Sequence, residues 1–265
     1  MPLTPALARY DHVLIDLDGC LWVGDHVVPR APEAVAALRA AGKRLAFLTN
    51  DARHAPEDLV RKLWRLGFQA SVQEVVTCGA ALQFVLASRP DKGAAFVVGS
   101  QSLVDHVAAA GMRVVNNTQF ATRADVVVVA VHDELHYREL KVATQAVLRG
   151  AELIGLSRDR TFPAPDGAWP GSGAILAAVE EATGRRADRI VGKPEPVMYE
   201  TAQDRLGPGR ALAVGDRLDT DVAGARSAGI DQALVLTGAT AREEAAAADP
   251  RPTLVAESVS ALVLG

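Results

Sequence analysis

The feature that most constrains the fold of this chain is an alternation of short, almost wholly apolar runs with longer helical segments. Val13 to Ile15, Leu45 to Leu48 and Ala211 to Val214 are such runs, and each ends at polar residues. Strands that are apolar on both faces are typical of parallel sheets, because helices cover both sides of such sheets. The alternation therefore predicts a doubly wound α/β fold, with ligands bound beyond the carboxyl ends of the strands.

The first apolar run is followed directly by two carboxylates and a glycine, in the order Asp16-Leu17-Asp18-Gly19. On an extended backbone, residues two apart project to the same side. Gly19 then allows the chain to turn away without steric cost. Acidic residues also begin ordinary turns, so this pair alone does not separate a functional site from a loop.

Three further predicted strand ends carry polar residues that complement this acidic pair. Thr49 and Asn50 follow the second strand, and their hydroxyl and amide groups suit phosphate oxygens. Lys193 follows a short strand, and Asp216 begins a run of three carboxylates that enters a helix. Taken singly, these residues could also be turn formers, a surface charge or a helix N-cap.

Together, the four strand ends offer the groups that transfer of a phosphoryl group requires. Its transition state spreads negative charge over the phosphoryl oxygens, so catalysis depends on positioning and on neutralising that charge. Asp16 and Asp216 suit Mg²⁺, which prefers oxygen ligands. Lys193 adds a fixed cation and Thr49 a hydrogen bond. Asp18 can protonate the leaving alcohol and later deprotonate water.

The motifs D-L-D-G, T-N, K-P and G-D-x-x-x-x-D resemble, in this order, the four motifs of the haloacid dehalogenase-like phosphatases. G-D-R-L-D-T-D and the P-G-S-G loop at 170–173 are similar to the NagD-type branch of that family. The resemblance implies that Asp16 is the nucleophile that forms an aspartyl-phosphate and that Asp18 is the general acid and base. It also implies that Asp16, the backbone carbonyl of Asp18 and Asp216 hold Mg²⁺, with Asp221 supporting the metal site.

The resemblance further implies a large α/β cap domain inserted between the second and third motifs. We expect residues 79–187 to form this cap, and residues 1–78 and 188–265 to form a Rossmann-like catalytic core. A lid of this kind would favour small phosphorylated metabolites, and a homodimer through the cap is left open.

Some positions depart from the family pattern. Arg158 and Asp159 lie in a cap loop that replaces a more typical T-N-x-D, so both are candidates for substrate selectivity. A solvated loop charge is an equal alternative for Arg158. Asp51 brings a negative charge next to Asn50, and Cys20 occupies a position that Thr or Val usually holds.

Composition excludes several classes of function. The net charge of −4, from 28 basic and 32 acidic residues among 265, argues against non-specific nucleic-acid binding. No apolar run approaches a membrane span, and the N-terminus lacks the pattern of a signal peptide. Cys20 and Cys78 are too few and too separated for a disulfide framework or a zinc site. We therefore expect a cytoplasmic protein that binds neither nucleic acid nor membrane.

The function predicted from these motifs is a Mg²⁺-dependent phosphoric monoester hydrolase for small esters of the phosphoglycolate, glycerol phosphate, sugar phosphate or nucleotide type. The alternative is a non-catalytic phosphate- or nucleotide-binding regulatory domain, such as a receiver-like module. Such a module would need neither Asp18 nor an inserted second domain. A nucleotide-dependent oxidoreductase is disfavoured, because Gly171-Ser172-Gly173 lacks the third glycine and follows a loop.

Overall fold

A computed structural model describes residues 3–164 and 166–265, in which strands and helices alternate along the chain. The strands are β1 His12–Asp16, β2 Trp22–Val23, β3 His26–Val27, β4 Arg44–Thr49, β5 Val75–Thr77, β6 Ala94–Val98, β7 Arg113–Val114, β8 Val126–Val129, β9 Glu152–Gly155, β10 Thr161–Ala164, β11 Gly167–Pro170, β12 Arg189–Ile190, β13 Ala211–Gly215, β14 Asp231–Val235 and β15 Leu254–Ala256. The helices are α1 Ala31–Ala40, α2 Pro56–Arg65, α3 Cys78–Ala87, α4 Gln101–Ala109, α5 Tyr137–Leu148, α6 Ser172–Thr183, α7 Val197–Leu206, α8 Ala223–Ser227, α9 Arg242–Ala247 and α10 Val259–Leu264. Among the described residues, none of the helices has the length and apolar character needed to cross a membrane.

The chain divides into two compact units. The first unit comprises the residues up to 49 together with 56–76 and 193–265, and the second comprises 50–55 and 77–192. The cap was expected to begin at residue 79 and to end at residue 187. Apart from residues 50–55, the second unit begins at residue 77 and ends at residue 192. Residues 50–55 were expected in the core, but by their contacts they group with the second unit.

The first unit is built on a six-stranded sheet in the order β15-β14-β13-β1-β4-β5. β1 pairs in parallel with β13 on one side and with β4 on the other. From β1 the chain proceeds outward to β4 and β5, whereas from β13 it proceeds in the opposite direction to β14 and β15. The strand order therefore reverses between β1 and β13, which is the position where open α/β sheets bind ligands.

The apolar side chains of β1, which point to both faces of the sheet, suit this strand to its central position. Val13, Leu14 and Ile15 are almost completely buried, as expected for a strand that helices cover on both faces. The predicted α/β class with parallel sheets is confirmed by this arrangement.

The second unit contains a five-stranded sheet in the order β12-β9-β8-β6-β7, and all four strand pairs are parallel. Its core is rich in valine, and all four residues of β8, Val126 to Val129, are fully buried. This unit therefore has a hydrophobic core of its own.

One element of the second unit differs from the prediction. The Pro- and Gly-rich composition of Thr161 to Gly173 predicts a loop, but β10 and β11 form an antiparallel hairpin within it. Prolines are tolerated in a two-stranded ribbon because both strands are edge strands. Phe162 and Trp169 lie opposite each other across the ribbon, with ring centroids 6.1 Å apart.

Candidate active site

The two central strands of the first unit deliver two carboxylates to the point where the strand order reverses. Ile15 of β1 lies beside Val214 of β13, so Asp16 ends the first strand where Asp216 follows the second. Gly19 belongs to the turn after β1, at φ +82°, and a Cβ there would lie 2.4 Å from an Asp216 carboxylate oxygen. Glycine therefore permits the turn after Asp16 to approach Asp216 this closely.

A buried cation lies among these acids. Lys193 is 5% exposed, and its Nζ donates hydrogen bonds to Oδ1 of Asp16 and, at 2.7 Å, to Oδ1 of Asp221. Burial by itself lowers the pKa of Lys193, but the charges of Asp16 and Asp221 outweigh it, so the net pKa lies well above its ordinary value. The lysine is therefore charged and bridges two carboxylates.

The backbone holds Asp221 from the opposite side. It lies in a π-helical turn, Leu218–Val222, and its Oδ2 accepts a hydrogen bond from the Arg217 N–H at 3.1 Å. The hydroxyl of Tyr199 donates to the Asp221 carbonyl at 2.9 Å. Both carboxylate oxygens of Asp221 thus have donors within this protein, which fits a supporting position beside the metal site.

The electrostatics of the cluster show an excess of negative charge. Burial raises the pKa of Asp16 well above its ordinary value, although the Lys193 ammonium opposes this shift. Burial, with repulsion from Asp221 as the next cause, raises the pKa of Asp216 to about 6. Three carboxylates against one ammonium would leave two uncompensated charges if all were ionised. A buried divalent cation would neutralise them.

The donor set also fits such a cation. One oxygen each from Asp16 and Asp216 and the sulfur of Cys20 lie within 4.8 Å of one another. Carboxylate oxygens are the ligands that hard divalent cations prefer. The residues at this sheet edge therefore suit a divalent metal ion.

A turn that the sequence reasoning did not identify holds Asp216. The Ala239 N–H donates to Oδ2 of Asp216 at 2.6 Å, and the Thr240 N–H donates to its carbonyl at 3.2 Å. A Cβ on Gly238 would lie 1.9 Å from the same Oδ2, so only glycine allows this approach. Thr237 donates to the Gly19 carbonyl at 2.5 Å. The available signal in the sequence was the pair Thr237-Gly238, just beyond the apolar run Ala233 to Leu236.

The structure assigns clear neighbours to the two other predicted residues of the first unit. Asp18 is exposed, and its Oδ1 accepts a hydrogen bond from Trp22 Nε1 at 2.6 Å. Thr49 is buried as the last residue of β4, the strand beside β1. The roles of both residues stay predictions.

The remaining predicted residues contact one another or their neighbours within the second unit. Asn50 Nδ2 donates to Oδ2 of Asp159 at 2.9 Å. Arg158 donates to both carboxylate oxygens of Glu180, at 3.0 and 3.2 Å. Asn50 was predicted to bind phosphate and Asp159 to select substrate. The two residues, predicted for different roles, are thus hydrogen-bonded to each other. Arg158 has a structural partner, which favours neither of its two sequence interpretations over the other.

Comparisons with known proteins agree with this geometry. Residues 13–113 match the family model described as haloacid dehalogenase-like hydrolase, and residues 190–262 match one described as HAD-hydrolase-like. The chain is 36% identical to chronophin of Mus musculus, over 99% of this chain and 95% of chronophin.

Solved structures give the same result. A p-nitrophenyl phosphatase from Archaeoglobus fulgidus is 30% identical with a TM-score of 0.86, over 96% of this chain and 98% of that one. A glycerol phosphate phosphatase from Mycobacterium tuberculosis in complex with magnesium is 34% identical with a TM-score of 0.89, over 97% and 77% of the two chains. The chain therefore belongs to the haloacid dehalogenase-like hydrolases and, within them, to the NagD-type phosphatases.

Proposed function

We propose that this protein hydrolyses small phosphate monoesters with the help of Mg²⁺, through a phosphorylated Asp16. The observation that carries the proposal is the buried cluster of Asp16, Asp216 and Asp221 around the Lys193 ammonium. Such a cluster combines a carboxylate nucleophile with the positive charge that an incoming phosphate dianion requires.

Asp16 serves as the nucleophile. One of its carboxylate oxygens attacks phosphorus, and the bond from phosphorus to the leaving alcohol breaks. Lys193, already hydrogen-bonded to Asp16, opposes the rise that burial causes in the pKa of that carboxylate and offsets the charge of the phosphoryl oxygens. The nucleophile is therefore oriented before substrate arrives.

Asp18 moves the protons. Its side chain is exposed, and the Trp22 indole holds one carboxylate oxygen at 2.6 Å. It donates a proton to the departing alcohol, and it then takes a proton from the water that attacks phosphorus. That attack breaks the bond between Asp16 and phosphorus and releases inorganic phosphate.

Asp16 and Asp216 would hold Mg²⁺, together with the carbonyl of Asp18, while Asp221 and the 237–240 turn fix the positions of these ligands. When bound, the ion supplies positive charge that lowers the repulsion between the Asp16 carboxylate and the substrate. The structure of a relative in complex with magnesium supports this choice of metal.

The substrate class is a small phosphorylated metabolite. The similar proteins include a glycerol phosphate phosphatase and a p-nitrophenyl phosphatase, both of which are named for small esters. Arg158 and Asp159 stay the candidates for selecting the leaving group, with Thr49 and Asn50 as candidates for binding the phosphate.

Release of phosphate from p-nitrophenyl phosphate tests the proposal, with Mg²⁺ present and with a chelator. We expect turnover only with Mg²⁺, and we expect Asp16→Asn to abolish it while the circular dichroism spectrum is retained. Asp219→Asn is the matched control, because the Asp219 side chain is 72% exposed and pairs with Arg217. Turnover without metal, or an active Asp16→Asn enzyme, would contradict the proposal. A stable phospho-Asp16 without phosphate release would instead favour the regulatory alternative.

A further inference from the structure

The sulfur of Cys20 is the one donor in the acidic cluster that the proposed function does not use. Cys20 is completely buried, and its Sγ lies within 4.8 Å of a carboxylate oxygen of Asp16 and of another from Asp216. Within residues 3–164 and 166–265, this is the only group of three such residues found close enough to share one metal ion. In the same described part of the chain, the Cys20 thiol makes no hydrogen bond.

The local fold explains why the sulfur lies near the carboxylates. The Cys20 N–H donates to the Leu17 carbonyl at 3.3 Å, which closes a tight turn immediately after Asp16 and Asp18. Gly19, within that turn, has no Cβ to separate it from Asp216. The turn therefore brings the Cys20 sulfur near both acids, although Cys20 also belongs to the hydrophobic core of the first unit.

The second cysteine of the chain has different surroundings. Cys78 is also completely buried, but its Sγ donates to the backbone carbonyl of Asn50 at 3.3 Å. It is absent from the cluster of metal-ligating atoms among the described residues. Both thiols are therefore completely buried. Only the Cys20 sulfur belongs, among the described residues, to a cluster of ligand atoms that could hold one metal ion.

We propose that Cys20 makes this cluster a mixed sulfur–oxygen site that binds thiophilic divalent cations, Zn²⁺ or Cd²⁺, in the place that the proposed function gives to Mg²⁺. Thiolate sulfur is a soft ligand that selects such ions, whereas Mg²⁺ is hard and gains little from sulfur. On binding, the sulfur–hydrogen bond breaks, a sulfur–metal bond forms, and the proton passes to solvent.

This inference rests on the metal site of the proposed function and predicts how that function is inhibited. A thiophilic ion held by Cys20, Asp16 and Asp216 occupies the same carboxylates that Mg²⁺ needs. Zn²⁺ and Cd²⁺ therefore act as competitive inhibitors with respect to Mg²⁺, and the sulfur slows their release.

The experiment is a Cd²⁺ titration of the full chain without Mg²⁺ or substrate, followed by the ultraviolet charge-transfer absorption of a thiolate–cadmium bond. We expect one sulfur–cadmium bond per chain in the wild type. Cys20→Ser replaces soft sulfur by hard oxygen at similar size, and we expect it to lose the band. Loss of a direct ligand should weaken Cd²⁺ binding by more than about 100-fold, because even the outer partners of metal ligands contribute roughly 10–100-fold.

Cys78→Ser is the matched control, because it makes the same substitution at an equally buried thiol, and we expect it to keep the band. The absence of a band in the wild type, or a band that depends on Cys78, would overturn the inference. The wild-type result also stands if Cys20→Ser fails to fold.

The proposed function is measured separately, by Mg²⁺-dependent phosphate release. An active phosphatase without a cadmium–thiolate band refutes only the role of Cys20. A band in a protein without phosphatase activity refutes only the proposed function.

Discussion

At the scale of single residues, the site depends on the balance of charge around Lys193. Its ammonium contacts Asp16 and Asp221, and all three side chains are largely buried. Removing one member of a buried ion pair leaves the others uncompensated, which costs far more than the pair contributes. Lys193 therefore contributes to the stability of the folded protein as well as to the proposed chemistry.

We expect Lys193→Met to lower the free energy of unfolding of the metal-free protein by about 3–5 kcal/mol, the range for breaking a buried ion pair. Mg²⁺ should restore part of this loss, because it supplies positive charge to the same carboxylates. Urea denaturation with a chelator and with Mg²⁺ measures both effects.

Lys141→Met is the control for this measurement, because Lys141 is exposed on the second unit. Equal stability of the two variants in metal-free buffer would show that Lys193 does not neutralise the cluster.

At the scale of elements, the turn after β14 positions a carboxylate that β13 delivers. Gly238 has no room for a side chain beside Asp216, and the Ala239 N–H fixes one of its oxygens. The turn contributes no side chain to the chemistry, yet the direction of Asp216 depends on it.

Gly238→Ala should push Asp216 out of position and raise the Mg²⁺ concentration needed for half-maximal turnover. We expect a 10- to 100-fold change, roughly the cost of disturbing the partners of a metal ligand. Gly229→Ala is the control, because a methyl group there would meet nothing within 4 Å, so the backbone strain that its positive φ causes acts away from Asp216. An unchanged Mg²⁺ requirement in Gly238→Ala would disprove the role of the turn.

Helix α6 anchors the Arg158 loop through Glu180, whose side chain is 4% exposed. Burial by itself raises the pKa of Glu180, but hydrogen bonds from Arg158, the Ala187 N–H and Arg186 outweigh it and lower the pKa to about 2. A carboxylate whose pKa is lower in the folded protein stabilises the folded state at pH values above its pKa in the unfolded chain. This stabilisation is lost as the pH falls through its pKa in the folded protein.

Glu180→Gln should therefore destabilise the protein above pH 4.5, the ordinary value for this group, by about 1–3 kcal/mol, as for other lost hydrogen bonds to charge. The difference from wild type should shrink as pH falls toward 2. Urea denaturation of both proteins across this range provides the measurement. A difference that stays constant with pH would contradict the ion-pair explanation.

Two arginines pair with Glu180, and substituting each in turn distinguishes an effect on substrate selectivity from an effect on stability. Arg158 lies in the loop predicted to select substrate, whereas Arg186 is 82% exposed and lies outside it. We expect Arg158→Ala to change the kcat/KM ratio between two phosphate esters by roughly ten-fold, the scale of one hydrogen bond to a charged group. Arg186→Ala should leave that ratio unchanged. An equal kcat/KM ratio in the two variants would show that Arg158 forms only a structural ion pair.

At the scale of the whole molecule, the proposed metal ligands all belong to the first unit, although they come from both ends of the chain. Asp16 lies near the N-terminus, and Asp216 lies 200 residues later, directly after the neighbouring strand. An ion that binds both carboxylates only in the folded state stabilises that state by mass action.

Mg²⁺ at about 100 times its dissociation constant should therefore raise the free energy of unfolding by roughly 2.7 kcal/mol. Asp216→Asn should remove this stabilisation, whereas Asp219→Asn should keep it. Thermal unfolding at several Mg²⁺ concentrations tests the prediction, and a shift that survives in Asp216→Asn would place the ion elsewhere.

The sequence by itself determined the fold class, the family and the position of the two acids, Asp16 and Asp216, at the ends of neighbouring strands. The physical reason is that parallel strands place their carboxyl ends at one edge of a sheet. A short local pattern, an apolar run that ends in polar residues, is therefore sufficient to bring Asp16 and Asp216 together.

Only the tertiary structure decided the partners of side chains that are remote in sequence. Asn50 pairs with Asp159, 109 residues away, and Gly238 approaches Asp216 from the turn after a separate strand. Cys20, which looked like a minor substitution in a motif, has its sulfur beside two carboxylates. Hydrophobic periodicity encodes which face of an element is buried, whereas these contacts depend on how turns and side chains pack after the sheets have formed.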